Sequence, residues 1–234
     1  MKRRLGFAAC LVGVALVILS GWLTAILRIG TDNNLYDELQ MKAGILESAG
    51  ISEEDLYNLD ASLAAYLRGR HLGEKVDTPM ALAPTVVVFG ERQSPFNERE
   101  LTHLEDCRKL FDLARAVQLI SAALGVLLIV LGWRWLKSRR AVRLAACLGP
   151  LVLAVPLGIF AIWAAVDFNA AFRFFHEMLF TNDLWLLDPA TDLLIRICPQ
   201  SMFMNMGLRI GLTGLIWTAF VPLVISMYAK ERNK

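Results

Sequence analysis

Four long, predominantly apolar runs, at residues 5–27, 114–136, 144–166 and 208–228, limit what this chain can fold into. Each is long enough to cross a hydrocarbon layer of roughly 30 Å as a helix. Inside lipid every backbone polar group must be satisfied within the chain, and a continuous apolar run does so as a helix. The expectation is a mainly α membrane protein: four transmembrane helices, an outer-face cap of short amphipathic helices, and a small β element. With 56% hydrophobic and 20% charged residues the chain is too apolar for an ordinary soluble domain and too charged to be spans alone. The first run exceeds the roughly 7–15 residues of a signal-peptide core and no small-x-small cleavage site follows, so it reads as a retained anchor.

Basic residues set the orientation. Lys2, Arg3 and Arg4 precede the first run, Lys137, Arg139, Arg140 and Arg143 separate the second from the third, and Lys230, Arg232 and Lys234 follow the fourth. With four spans all three clusters share one side, which predicts cytoplasmic termini in a bacterial cytoplasmic membrane. The chain then divides into an N-terminal span (1–28), an extracellular segment (29–113), spans at 114–136 and 144–166 joined by a cytoplasmic loop (137–143), an extracellular interfacial catalytic loop (167–207), and a last span with a cytoplasmic tail (208–234).

Within the first outer segment, Leu35, Leu39 and Met41 give only a weak apolar pattern. Ser52 to Asp55 is a capping box that opens a helix with Leu56, Leu59, Leu63, Tyr66 and Leu67 on one side and Gly69 as its stop. Thr85 to Phe89 is a β-branched run ended by Gly90, expected in a small hairpin. Asn97 to Glu100 is a second capping box, opening a helix that runs on into the second span. His103 and Asp106 are one turn apart on it, a spacing at which a carboxylate can orient an imidazole or form a weak surface pair. His71 lies in a polar loop and is left out of the site. Gly207 and Gly211 form a GxxxG, a hint of close helix packing.

The stretch 168–199 carries the densest chemistry. His176, Asn182, Asp183, Asp188, Asp192 and Arg196 lie there among Phe, Trp and Leu, between two spans. Polar side chains beside a membrane are costly unless paired or used. The stretch reads as two short helices: one with Phe168, Phe172, Phe175 and Leu179 on its apolar face, the other starting at Asp188-Pro189 and covering 190–197.

His103 and His176, both on the outer side, are the groups that titrate near neutral pH. No phosphate loop, dinucleotide fingerprint or hydrolase elbow is present, so neither a nucleotide nor a nucleic acid is an expected partner. The histidine spacing matches no standard zinc motif, and no metal or other cofactor is expected. The four cysteines include no CxxC, which disfavours a membrane thiol–quinone oxidoreductase. Cys107 and Cys198 share the outer side, but their spacing is no evidence of a disulfide, and small buried hydrophobes is the better reading of them.

The later stretch resembles the lipoprotein intramolecular transacylase (Lit) family of bacterial membrane proteins. The resemblance rests on His103-Leu104-Glu105-Asp106 and then on Phe175-His176, Phe180, Asn182, Trp185, Leu187-Asp188-Pro189, Asp192, Leu194-Ile195, Pro199 and Phe203. Cys107 stands where the family more usually has Val, and 29–88 carries no matching motif. The resemblance implies an intramolecular acyl shift. The sn-2 acyl chain of a diacylglyceryl-modified lipoprotein moves to the α-amine of its N-terminal cysteine, giving the lyso form. Its partners would be the diacylated lipoprotein and membrane lipid, and His103 and His176 its catalytic pair.

The residues suit that chemistry. Ester-to-amide transfer is downhill and needs no activated donor. An α-amine with a pKa of roughly 7.7–8.0 is partly neutral at physiological pH. One histidine, His176 by preference, takes a proton, while His103 polarises the carbonyl or acts as acid, although the sequence leaves these roles interchangeable. Asp106, Asn182, Asp183 and Asp188 are candidates to orient them. Phe175, Phe180, Trp185 and Arg196 are candidates to bind substrate. The competing reading is a non-catalytic four-span protein that binds lipid or a partner, its aromatics forming an interfacial belt.

Overall fold

The computed structural model describes residues 1–231. In chain order the elements are α1 (Lys2–Ile29), α2 (Asn33–Lys42), α3 (Ile45–Ala49), α4 (Glu53–Arg68), β1 (Arg70–His71), β2 (Glu74–Lys75), β3 (Val86–Val88), β4 (Glu91–Gln93), α5 (Glu98–Leu136), α6 (Arg139–Leu148), α7 (Leu151–Val166), α8 (Phe168–Leu179), α9 (Leu193–Ile197) and α10 (Gln200–Glu231). Four helical stretches are long and apolar enough to cross a membrane: Lys2–Ile29, Glu98–Leu136, Arg139–Val166 and Gln200–Ala229. The mainly α, membrane-integral class expected from the sequence is the one found. Arg232 and Lys234 of the last basic cluster lie outside the described residues.

The chain divides into two compact units. One comprises Met1–Ile26, Ala114–Phe172 and the chain from Ile210. Its interior is small: Cys10 with Leu136, Val142 and Ala145, and Val14 with Ile18, Ala146 and Val221. No residue of α7 is buried, which suits a surface whose solvent is as apolar as leucine. A Cβ on Gly13 would sit 2.7 Å from the Gly125 carbonyl oxygen, and one on Gly132 2.7 Å from that of Gly6. The backbones of α1 and α5 therefore touch. The GxxxG at Gly207 and Gly211 does not serve this purpose, since a Cβ there meets nothing within 4 Å. Such a motif only offers a groove, and none of the described residues fills it.

The third apolar run is two helices. Gly149 and Pro150 separate α6 from α7, while Pro156 remains inside α7. Arg139, Arg140 and Arg143 are helical, because Ser138 caps α6 by accepting the Ala141 N–H.

The other unit comprises Leu27–Leu113 and Arg173–Arg209. Its core joins Leu56, Leu59 and Leu63 of α4, Val86 and Val88 of β3, Leu104 of α5, and Leu193, Leu194 and Ile197 of α9. The Ser52 cap forms as expected, its hydroxyl accepting the Asp55 N–H at 3.1 Å. Gly69 ends α4 at φ 78, and a Cβ there would lie 2.4 Å from the Arg108 guanidinium. That guanidinium donates to the carbonyls of Tyr66 and Val76. The hairpin β3–β4 pairs Val86 with Gln93 and Val88 with Glu91.

At about 1.5 Å per residue the 39 residues of α5 extend about 58 Å, twice the hydrocarbon thickness. The part up to Leu113, which includes His103, belongs to the second unit.

Candidate active site

His103 is placed by the way α5 begins. The Glu100 N–H donates to Asn97 Oδ1 at 3.0 Å and the Asn97 N–H donates to Glu100 Oε2 at 2.8 Å, a reciprocal capping box. The other Glu100 oxygen accepts the Leu194 N–H of α9 at 2.6 Å. Asn97 Nδ2 donates to Asp192 Oδ1 at 2.8 Å. One capping pair thus fixes two helix starts to each other. Burial holds the Glu100 carboxyl above its usual range, against the pull of the two backbone N–H groups.

Asp192 also organises the turn before α9. It accepts the Asp188 N–H at 2.8 Å and the Thr191 hydroxyl at 3.0 Å. Asp188 Oδ1 takes the Ala190 N–H at 2.9 Å. These bonds compete with helix formation, so α9 starts at Leu193 with Asp192 as its N-cap. The sequence-based expectation of a helix from residue 190 is corrected accordingly. Arg196 lies on α9, its Nε donating to the Asp192 carbonyl at 3.4 Å.

His176 lies in the last turn of α8, with Phe180 one turn on. The described side chains gather around the two imidazoles. The His103 and His176 ring centroids are 6.3 Å apart. Phe180 is 5.1 Å from His103, edge to face, and 5.7 Å from His176. Trp185 lies 4.9 Å from His176 at an interplanar angle of 33°, and Phe175 meets His176 at 5.6 Å. Both histidines are buried, at 8% and 9% exposure, and Trp185 is as well. Phe175 is itself exposed, as are Phe174 and Met178.

A polar latch holds the tryptophan. Asn182 Nδ2 donates to Asp106 at 2.9 Å, the Leu184 N–H donates to Asn182 Oδ1 at 3.1 Å, and Trp185 Nε1 donates to the Asn182 carbonyl at 3.0 Å. The Arg99 guanidinium donates to the Asp183 carbonyl, while the Asp183 carboxylate itself is largely exposed. Asp106 spends its carboxylate on Asn182 and, at 3.2 Å, on Lys109. The Asn182 bond draws its carboxyl below the usual range, with burial opposing.

His103 therefore takes a different partner from the one its i, i+3 spacing suggests. Cys107 Sγ lies 3.6 Å from His103 Nε2. His103 Nδ1 is buried with no hydrogen-bond partner among the described residues. Burial first, then the neighbouring His176 and Arg99, push the His103 pKa down to about 4, with Asp106 acting the other way. At neutral pH this ring is uncharged.

The structure thus brings His103, His176, Phe175, Phe180 and Trp185 into one ring cluster, with Asp106 and Asn182 as its polar border. Asp183 contributes a carbonyl, and Asp188 and Arg196 belong to the turn and helix beyond. Cys107 was legible only as a small hydrophobe, and Glu100 only as a cap. All four cysteines are free. Among the described residues no three His, Cys, Asp or Glu side chains converge as metal ligands.

Imidazole is the side chain suited to proton transfer near neutral pH, and two of them lie close together here. Hydrogen bonds of roughly 3 Å from each ring to one reacting group fit a centroid separation of 6.3 Å. The family model for lipoprotein intramolecular transacylase Lit matches residues 10–203. The fold is similar to the in meso structure of Lit from Bacillus cereus, at TM-score 0.67 and 19% identity, covering 98% of this chain and 96% of that one. Two Bacillus cereus Lit structures in which one histidine is replaced, by alanine or by arginine, match at TM-score 0.68 and 18% identity, covering 98% of this chain and 94% or 92% of theirs. No curated protein sequence matches significantly.

Proposed function

Because the chain belongs to the lipoprotein intramolecular transacylase (Lit) family, an acyl-transferring enzyme family, we propose that His103 and His176 carry its reaction. The observation that carries this reading is the pair of buried imidazoles 6.3 Å apart within an aromatic wall. The α-amine of the substrate's N-terminal cysteine attacks the carbonyl carbon of the sn-2 ester. His176 accepts the proton that the amine must lose. His103 donates an N–H to the carbonyl oxygen as it gains negative charge. When the intermediate collapses, the carbon–oxygen bond breaks and the proton held by His176 goes to the departing glycerol oxygen. One C–N bond replaces one C–O bond, one proton moves from nitrogen to oxygen, and no cofactor enters the balance.

Two observations support this division of roles. A ring that becomes cationic on accepting a proton is well placed against an aromatic face, and His176 lies 4.9 Å from Trp185. A ring that donates without ionising should be neutral, as burial makes His103. Phe175, Phe180 and Trp185 supply apolar surface for acyl chains, and Asp106 and Asn182 hold Trp185 in place. The basic clusters support cytoplasmic termini, which would put the site at the outer face of the cytoplasmic membrane, in contact with membrane lipid.

The test is tandem mass spectrometry of N-terminal lipopeptides from cells making the enzyme or its variants. His103→Ala and His176→Ala should each abolish the lyso form while the protein accumulates in the membrane, since general acid–base help is worth about 10²–10⁴-fold. His71→Ala should stay active. A well-expressed His176→Ala protein that still yields N-acylated lyso-lipopeptide would overturn the catalytic reading and favour lipid or partner binding.

A further inference from the structure

We propose that the Cys107 thiol sets the tautomer of His103, so that the ring's single hydrogen sits on Nδ1 and is the one offered to the substrate carbonyl. This rests on the reading of His103 as carbonyl polariser and adds a positioning residue to it.

Cys107 Sγ is 3.6 Å from His103 Nε2, one helical turn further along α5. Two arrangements are open to such a pair. Either the thiol donates to the ring nitrogen, or the ring N–H donates to sulfur. Sulfur is a weak acceptor, whereas the lone pair of a neutral imidazole nitrogen is a good one. Burial raises the Cys107 thiol to about 12, so it retains its hydrogen at neutral pH. The favoured arrangement is S–H to Nε2. A neutral ring has one N–H only, which then belongs to Nδ1.

The second observation is independent of the thiol. His103 is 8% exposed, and Nδ1 is buried with no partner among the described residues. A buried N–H without an acceptor is costly and persists where a ligand supplies the acceptor. The carboxylate one turn along the same helix, that of Asp106, is engaged by Asn182 and Lys109. Nδ1–H is thus left for a carbonyl oxygen, and an oxygen gaining charge is the acceptor the reaction provides. Cys107 acts through His103 and touches no reacting atom.

The chain has only three histidines, so the full-length protein with ¹⁵N-labelled histidine in detergent gives a spectrum simple enough to assign with His71→Gln and His103→Gln. At pH 7 the His103 ring should show a protonated Nδ1 and an unprotonated, hydrogen-bonded Nε2. Cys107→Val removes the donor at similar volume. It should move His103 toward the Nε2–H form and lower kcat about two- to tenfold with KM unchanged, the range of one modest hydrogen bond. Cys107→Ser, which keeps a donor, should restore both the spectrum and kcat. Unmoved His71 and His176 signals report intact folding, and the wild-type spectrum decides even if a variant fails to fold. An Nε2–H tautomer in the wild type, or an unchanged His103 spectrum in Cys107→Val, overturns the inference. Failure of the parent reading looks different, because His103→Ala would then still form lyso-lipoprotein.

Discussion

Replacing Asp60 by Asn should make the protein more heat-stable at pH 8 and stabilise it only about a third as much at pH 5, where the unfolded carboxyl is ionised but the folded one is not. Asp60 of α4 and Gln40 of α2 are both fully buried, at 0% exposure. Gln40 Nε2 donates to Asp60 Oδ1 at 3.1 Å and to the Ile197 carbonyl at 2.9 Å. Both neighbours of that nitrogen are acceptors, so the amide orientation is fixed. Gln40 Oε1 and Asp60 Oδ2 are then buried acceptors with no donor among the described residues. A proton on Oδ2 removes the buried charge and turns one of these acceptors into a donor. Burial, helped by the nearby Asp37 and opposed by the Gln40 amide, raises the Asp60 pKa to about 7.

The magnitude follows from linkage. A carboxyl moved from an ordinary value of about 3.9 to about 7 disfavours its ionised form by about 4 kcal/mol in the folded state. Because the folded-state pKa is the higher one, this stability is fully present below about pH 4 and is lost as the pH rises through about 7. Above that range the wild type carries the whole penalty. An asparagine has the shape of the protonated acid, its amide replacing the O–H donor, and never ionises. At pH 8 the variant should gain up to about 4 kcal/mol, which at roughly 2–4 °C per kcal/mol predicts a Tm rise of up to about 8–16 °C. Tryptophan-fluorescence melts of both proteins in the same detergent, at pH 5 and pH 8, give the comparison. An Asp60→Asn Tm at pH 8 no higher than wild type, or a difference equal at the two pH values, would refute the reasoning.

Two further outcomes test the site and the topology. Asn182→Ala breaks the bond to Asp106 and the turn that holds Trp185. It should lower the rate of lyso-lipopeptide formation roughly ten- to a hundredfold through misplacement alone, with Tm nearly unchanged because Asn182 is exposed; full activity in the variant would separate the latch from catalysis. Single cysteines placed at Arg70 or Asn182 should react with a membrane-impermeant maleimide in intact spheroplasts, and labelling of either only after access to the cytoplasmic side would reverse the orientation.

The apolar runs made the membrane class legible because lipid demands a long helix whatever else the chain contains. Their edges were less legible. The run 137–143 looks like a loop by charge, yet arginine is a good helix former, and with Ser138 as cap the chain turns helical at Arg139. Gly149-Pro150 divides the next run into α6 and α7, although its apolar character is continuous across them. α2 was nearly invisible because its buried residues include Tyr36 and Gln40 beside Leu35 and Leu39. Hydrophobic periodicity cannot register a helix face that is buried through hydrogen bonds.

The site divides along the same line. Residue type alone picked out both histidines and the aromatics around them, since few side chains change protonation near neutral pH and few apolar ones are as large as Trp185. Partner choice was beyond its reach. On α5, positions three and four after His103 both lie on its side of the helix, and charge favours Asp106 over Cys107. A residue far away in the chain decides otherwise. Asn182, 76 positions on, engages the Asp106 carboxylate, which leaves the imidazole the thiol at the next position and leaves one ring nitrogen unpartnered. Had Asp106 bonded His103, the ring would have been held toward the imidazolium and made a poorer neutral donor. Sequence spacing therefore narrows the partner of a helical histidine to two candidates, and a tertiary hydrogen bond to one of them selects the other.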